Sequence, residues 1–424
     1  MHTPGQPSHW LGNFFTLLFG PKMLVMLMTG FSSGLPLLLT GSTVKLWMRE
    51  EGLDLTTIGI FGLVGLPYTL KFLWAPFMDR IIPPFGGRRR GWMLITQIIL
   101  MVAIGSIAGI DPTHHFFVLI GLCVLITFFS ASQDIVLDAY RREYLQDKEL
   151  GIGSSIFVNG YRIGILISGG FALILADFLS WSATYFVMGL FMAVGIMTTI
   201  FAPEPVLDAS PPTSWQEAFT GPFLEFTQRP GWLIILLFIL LYKIGDSMAS
   251  EMLSPFWVDL EISKTTVGSI VKTFGLIATI GGGFLAGLVI YRWGIIPSLL
   301  IFGILQMIST AGFVVLAIVG NHLPTLTAVI AFENLTGGMG TTAFVAFMAS
   351  LTDKRFTATQ YALLTSIMGI PRVIAGSTTG LLATWLGWEG FFVLCTLLAI
   401  PGLLLITTLR RMPALPTEPQ AQTS

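Results

Sequence analysis

The sequence is short of charge. Only 11% of its residues are Asp, Glu, Lys or Arg, against about 25% in an ordinary soluble domain. A water-soluble chain cannot hide such a shortfall in a larger core, because its surface must still be covered. Lipid is the solvent that removes the difficulty. Neither sign of charge dominates: 22 basic and 23 acidic residues leave a net charge of -1. That excludes the basic footprint of a nucleic-acid binder. Cysteine is almost missing. Cys123 and Cys395 are the two present, both inside apolar runs, so no disulfide framework is expected. The five histidines have no metal-ligand spacing, and the adjacent His114 and His115 read as a solvated loop. No metal and no cofactor is expected.

What is abundant is apolar: 54% of 424 residues are hydrophobic. A bilayer core of roughly 30 Å takes about 20 apolar residues per helix. Twelve such runs lie near 22–44, 57–80, 91–110, 116–140, 153–178, 182–202, 231–256, 266–290, 294–319, 324–351, 358–384 and 388–410. The first, from Met23 to Leu39, lacks a cleavage site and reads as a helix, not a leader. An all-α membrane protein of twelve transmembrane helices is expected. Its parts are a tail over 1–21, a six-helix bundle over 22–202, a linker over 203–230, a second six-helix bundle over 231–410 and a tail over 411–424. The linker holds Pro203, Pro205, Pro211 and Pro212, then a stretch from Trp215 to Phe226 that fits an amphipathic surface helix.

Sorting the basic residues sets the orientation. With both termini cytoplasmic, fourteen fall on the cytoplasmic side and three (Lys45, Arg49, Lys264) outside. The remaining five lie within spans. The two halves also repeat. Trp47 before Thr57-Ile58-Gly59 matches Trp257 before Thr266-Val267-Gly268, and Asp79-Arg80 matches Tyr291-Arg292. Asp147-Lys148 matches Asp353-Lys354, and Arg162 with Gly170 matches Arg372 with Gly380. The offsets run from about 206 to 212 residues. Two pseudo-symmetric six-helix bundles are the plan of a secondary transporter, with the substrate site between repeats near the midplane.

Each charge at the bilayer centre costs about 2.5–3.5 kcal/mol on insertion scales, so retained ones mark a pathway or pair with each other. The spans keep Lys71, Asp134, Asp138, Arg162, Lys243, Asp246, Glu251, Lys272, Glu333 and Arg372. Asp134 and Asp138 are four apart and share a helix face. Two close carboxylates in a dry setting do not easily both ionise, so the pair can hold a proton reversibly. Gln133 can bond either state. Alternatively, Asp138 is solvated at a helix end or paired with Arg141 or Arg142. Lys71 can pair with Asp134 or take a substrate carboxylate. Lys243 and Asp246 can form a local ion pair, and Lys272 and Glu333, beside Asn334, a cross-helix one. Arg162, after Tyr161, and Arg372 are either scaffold or clamps on an anionic ligand. Trp47, Tyr68, Tyr161 and Trp257 are aromatics that could stack on sugar rings. A membrane enzyme would need a central histidine or other nucleophilic constellation, and no histidine lies centrally in a span. A receptor would need an output domain, and none is visible in the sequence.

The plan resembles the major facilitator superfamily, whose loop after the second span reads Gly-x3-Asp-Arg-x-Gly-Arg-Arg. Here it is Asp79-Arg80 followed by Arg88-Arg89-Arg90, with a longer gap, and this resemblance implies a gating loop. Five strings are similar to the AmpG-type muropeptide permeases in particular. They are Gly30-Phe31-Ser32-Ser33-Gly34-Leu35-Pro36, Lys71-Phe72-Leu73-Trp74-Ala75-Pro76, Ser130-Ala131-Ser132-Gln133-Asp134, Tyr242-Lys243-Ile244-Gly245-Asp246 and Phe332-Glu333-Asn334. The resemblance implies a proton-driven importer of anhydro-muropeptides from periplasm to cytoplasm. It also implies a place in peptidoglycan recycling, β-lactamase induction and antibiotic resistance. On this reading Asp134 and Asp138 couple protons. Lys71, Gln133, Tyr161, Arg162, Lys243, Asp246, Lys272, Glu333, Asn334 and Arg372 line the substrate path. The partners are a glycopeptide, protons and the lipid bilayer of the inner membrane, with no nucleic acid, and a monomer is expected. The alternative cargo is another bulky anion such as a coenzyme A thioester.

Overall fold

A computed structural model describes residues 7–54, 57–58, 61–206, 210–263 and 266–411. The side chains of Lys272 and Arg372 lie outside what it describes. Every regular element among the described residues is helical. Nine helices are long and apolar enough to cross a membrane by length and composition. The remaining three spans depart from the plain apolar rod for local reasons.

The second span is broken into short pieces, Phe61–Gly65, Leu66–Leu70, Lys71–Leu73 and Ala75–Arg80. Pro67 and Pro76 open two of these pieces, where a missing N–H is tolerated, and each ends the ladder before it. The tenth span, Leu323–Ser350, is continuous but interrupted in hydropathy by Glu333, Asn334 and its glycines. The eleventh and twelfth run together over Thr357–Leu397, and only Gly387 (φ 66°, ψ 173°) separates them. That backbone conformation is open to glycine and strained for other residues. The seventh span has a similar interruption: Trp232–Leu241 ends and Ile244–Asp259 begins around Lys243.

The chain forms two compact units. Unit 1 is Met1–Gln146, Ile156–Pro222 and Thr352–Leu363, and unit 2 is Asp147–Ser155, Phe223–Leu351 and Leu364–Ser424. In unit 1 the first and fifth spans meet along a glycine seam. A Cβ at Gly30 or Gly34 would collide with the backbone of Phe157 or Tyr161. One at Gly160 or Gly164 would collide with the backbone of Leu27 and Phe31, or of Phe31 and Leu35. Such seams let helices approach without a strong hydrophobic drive between them. Unit 2 has a comparable seam where Gly338 meets the backbone of Thr279 and Gly283, and Gly282 that of Leu335.

Each unit has its own aromatic core. Trp47 is buried in unit 1, stacked on Trp181 at 5.8 Å and tilted on Tyr185 at 5.3 Å. Trp257 is buried in unit 2 between Phe256 and Phe313. Both tryptophans, expected as possible sugar platforms, are therefore core residues: their ring faces are already covered by other aromatics.

Candidate functional site

The polar residues of unit 1 gather around the fourth span, Phe116–Tyr144. Asp134 does not pair directly with Asp138. It accepts a hydrogen bond from Ser33 Oγ at 2.5 Å, a residue of the first span. Asp138 binds Arg141 at 2.9 Å, one turn on. Arg141 is fully buried, donates to the Tyr361 hydroxyl at 2.8 Å and lies 4.6 Å from the Phe157 ring. Of the two readings of Asp138, the ion pair with Arg141 is the one found. Lys71 is buried in a tight turn of the broken second span and makes no ion pair within 4.0 Å among the described residues. Its charge still acts on both Asp134 and Asp138. The second span is held to the fourth by Tyr68 Oη donating to Ser130 Oγ (2.9 Å) and Trp74 Nε1 to Ser132 Oγ (3.0 Å). Tyr161 is half-buried and senses both carboxylates electrostatically, and Arg162 beside it is also half-buried.

Two amides in unit 1 are left over. Gln133 and Asn159 are each at most 1% exposed, and neither amide group has a hydrogen-bond partner among the described residues. A buried amide without partners costs about 1–3 kcal/mol. Such a cost is expected where a ligand or water completes the bonding.

The loop after the second span forms a buried charge network in the same unit. Asp79 accepts from Arg88 (3.2 Å) and Arg89 (2.8 Å), from the amides of Ala358 (3.2 Å) and Thr359 (2.8 Å), and from the Thr359 hydroxyl (2.7 Å). Arg89 also forks onto Glu143 at 2.8 and 2.5 Å and donates to Met78 O at 3.0 Å. Burial alone would loosen the Arg89 proton, but the charges of Glu143 and Asp79 outweigh it and raise the pKa. Arg88 moves the other way, lowered by burial and by its neighbour Arg89. The Arg89 and Arg90 amides donate to Glu204 at 2.7 and 2.9 Å, and the Arg90 guanidinium reaches Thr199 O and Ile200 O. Arg80 lies over the Trp215 ring at 4.3 Å.

Unit 2 has a second buried polar cluster. Lys243 pairs with Asp246 at 3.0 Å and donates to Gln306 Oε1 at 3.3 Å. Glu333 accepts from Ser309 Oγ at 2.5 Å. The expected pairing of Glu333 with Lys272 falls on a side chain outside the described residues. Asn334 serves the helix contact: its Oδ1 accepts from Thr279 at 3.0 Å and its Nδ2 donates to Ile330 O at 2.9 Å. A narrow cleft lined by Tyr242, Asp246, Gln306, Thr310 and Cys395 reaches this cluster. No group of three or more His, Cys, Asp or Glu suited to a metal occurs among the described residues.

Sequence reasoning missed Ser33, Asn159, Glu143, Glu204, Gln306 and Ser309. Glu143 and Glu204 carried a signal. The run Arg88-Arg89-Arg90 needs acids once it leaves water, and both acids stand at span ends on the side assigned to that run. Serine and asparagine in a span are too common to single out.

Twelve spans with charges buried at mid-helix define a polytopic secondary transporter. The model of the Major Facilitator Superfamily matches residues 23–319 and 235–424. The chain is 44% identical over 393 residues to the anhydromuropeptide permease of Escherichia coli K12, covering 92% of this chain and 80% of that one. It is 32% identical over 404 residues to a Rickettsia felis protein described as transporter AmpG 4, covering 92% and 97%. The chain belongs to the major facilitator superfamily and, within it, to the AmpG-type permeases. The crystal structure of the Escherichia coli fucose:proton symporter is similar in fold, with a TM-score of 0.70 at 11% identity over 91% of this chain and 98% of that one.

Proposed function

We propose that this chain carries anhydro-muropeptides, sugar-peptide products of peptidoglycan turnover, from periplasm to cytoplasm, driven by protons. The observation that carries the substrate is the 44% identity to the Escherichia coli permease across 92% of the chain. The site chemistry agrees with it. A muropeptide brings carboxylates, an amine and several amides. Lys71 suits a carboxylate, Asp134 an amine, and the unpartnered Gln133 and Asn159 suit amide or acetamido groups. In this reading the inner membrane is the location and both termini face the cytoplasm, an orientation supported by fourteen basic residues against three.

Asp134 is the coupling carboxylate in unit 1. Among the described residues its one side-chain hydrogen bond comes from the Ser33 hydroxyl, and Lys71 makes no ion pair with it within 4.0 Å. Losing or gaining a proton therefore changes how strongly Lys71 is held and how free it is to take the substrate carboxylate. Labelled anhydro-muropeptide uptake into vesicles, with and without an imposed proton gradient, tests the proposal. Accumulation above a vector control is expected, larger with the gradient inward. No accumulation would sink the substrate, and accumulation indifferent to the gradient would sink the coupling.

A further inference from the structure

Unit 2 has a groove apart from the Lys243–Asp246 cluster. It lies between the seventh and eighth spans and measures about 320 Å³. Leu253, Val258, Ile262, Val267 and Val271 make an apolar wall, and Ser250, Ser254 and Trp257 supply the polar atoms. Those three stand four and then three residues apart on the helix Ile244–Asp259, so they share one face. Small-molecule sites have this make-up, mostly apolar with a few placed polar groups. In the orientation proposed above this is the periplasmic end of the seventh span, the end farther from the linker over 203–230.

All three polar groups are unspent. Serine and threonine within a helix commonly return their hydrogen to the carbonyl one turn back. Thr29, Ser106, Ser132 and Ser298 do so here, at 2.7, 2.8, 2.8 and 2.6 Å. Ser250 and Ser254 are exposed and make no hydrogen bond among the described residues. Trp257 is the sharper case. It is 5% exposed, and Phe256 and Phe313 cover its faces, so its edge is what lines the groove. A buried indole N–H usually finds an acceptor. Trp47, the repeat counterpart, gives its N–H to Glu51, four residues on, at 3.2 Å. Trp74, Trp181 and Trp388 have acceptors too. Glu261, at the matching place after Trp257, sits in a left-handed backbone (φ 55°), and the Trp257 N–H has no acceptor among the described residues. The second repeat leaves open the donor that the first ties up.

We propose that this groove binds an acetamido sugar, with the Trp257 N–H donating to the acetamido carbonyl. The methyl group then lies against the valine and isoleucine wall. Ser250 and Ser254 meet the amide N–H and the ring hydroxyls. A lipid tail would satisfy the wall and leave three polar groups without partners. The source of the sugar rests on the muropeptide reading above, to which the groove adds an entry subsite in unit 2.

Saturation-transfer NMR on the full-length protein in lipid nanodiscs is the test, with N-acetylglucosamine, glucosamine and glucose as probes. The acetamido methyl group should receive the strongest saturation, with glucosamine and glucose near background. Trp257→Phe keeps an aromatic ring against Phe256 and Phe313 and removes the donor. It should weaken binding roughly three- to tenfold, the loss of one hydrogen bond. Ser254→Phe fills the groove from an exposed position, so the protein should fold and lose the methyl signal. That variant keeps the test decisive if Trp257→Phe does not fold. No saturation in the wild type, equal saturation of glucose, or a methyl signal indifferent to both substitutions overturns the proposal and leaves the groove to a lipid tail. Binding is read without transport. Failed muropeptide uptake beside the expected methyl signal removes the substrate assignment and keeps the sugar site, and the reverse result removes the groove alone.

Discussion

At the scale of single residues, burial decides which charges are worth testing. Arg89 is fully exposed to neither water nor lipid, and its fork holds Glu143 and Asp79 together. Replacing it with Met leaves Glu143 buried without its cation and Asp79 with Arg88 alone, a loss of about 3–5 kcal/mol of stability. Thermal unfolding in detergent should show Arg89→Met melting well below wild type, while Arg80→Met, which removes a ring contact at 4.3 Å, should cost far less. Equal effects would mean the network is not a stabilising unit. A milder case lies in the loop at Asp111. Bonds from the Thr113 hydroxyl, the Thr113 amide and the His114 amide pull its carboxyl down to about 2. A depressed carboxylate contributes above its ordinary value near 3.8 and loses that contribution as pH falls through about 2. The Thr113 amide signal should therefore hold its position in mild acid and move only near that value. The charged residues themselves were legible in the sequence, because lipid makes each one conspicuous. Their partners were not: Ser33 lies 101 positions from the Asp134 it serves, and nothing local marks it.

At the scale of helices, hydropathy located the spans because the bilayer sets their length. It did not see where they break. The interruption around Lys243 and the turns around Lys71 put each lysine at a helix discontinuity. Broken backbone is tolerated at membrane depth where protein or a wet cavity covers it. The two breaks have in common that each holds a lysine. The sequence showed Pro67 and Pro76 but not how many pieces they would make. The glycine seam is the second feature of this scale. Because Gly34 and Gly160 each face backbone rather than a yielding side chain, a substituent there must push helices apart. Gly160→Val should cost at least about 1–3 kcal/mol through overpacking and lower the yield of folded protein. Gly121, on the fourth span with open space around it, should accept Ala with little change. Comparable melting of both variants would remove the seam from the account.

At the scale of the whole molecule, the repeat is legible and its asymmetry carries the remaining argument. The eleventh span starts at Thr357 with no acid in its first turn, whereas the helix that opens the fifth carries Asp147 and Glu149. Helix N-termini favour negative charge, because their first N–H groups are unsatisfied. The fifth span brings its own acids. The eleventh borrows Asp79, which accepts the Ala358 and Thr359 amides and the Thr359 hydroxyl within unit 1. The repeat counterpart of Asp79 is Tyr291, a side chain that offers no carboxylate, and its target helix has less need of one. Asp79 thus caps a helix that brings no acid of its own. Asp79→Asn keeps the shape and removes the charge, and each charge-assisted bond is worth about 1.5–3 kcal/mol. Release of one such bond should raise opening about tenfold, since 1.4 kcal/mol corresponds to a factor of ten. A cysteine placed at Gln360, buried beside this cap and bonded to Pro222 O, reads the opening through its rate of reaction with a membrane-permeant maleimide. In the Asp79→Asn background that rate should rise by about an order of magnitude. In an Asp147→Asn background it should stay near the starting value, because Glu149 still serves the fifth span and Asp79 is untouched. An unchanged rate with Asp79→Asn would leave the loop as structural ballast. An equal rise in both backgrounds would mean that the two repeats share the duty their sequences divide.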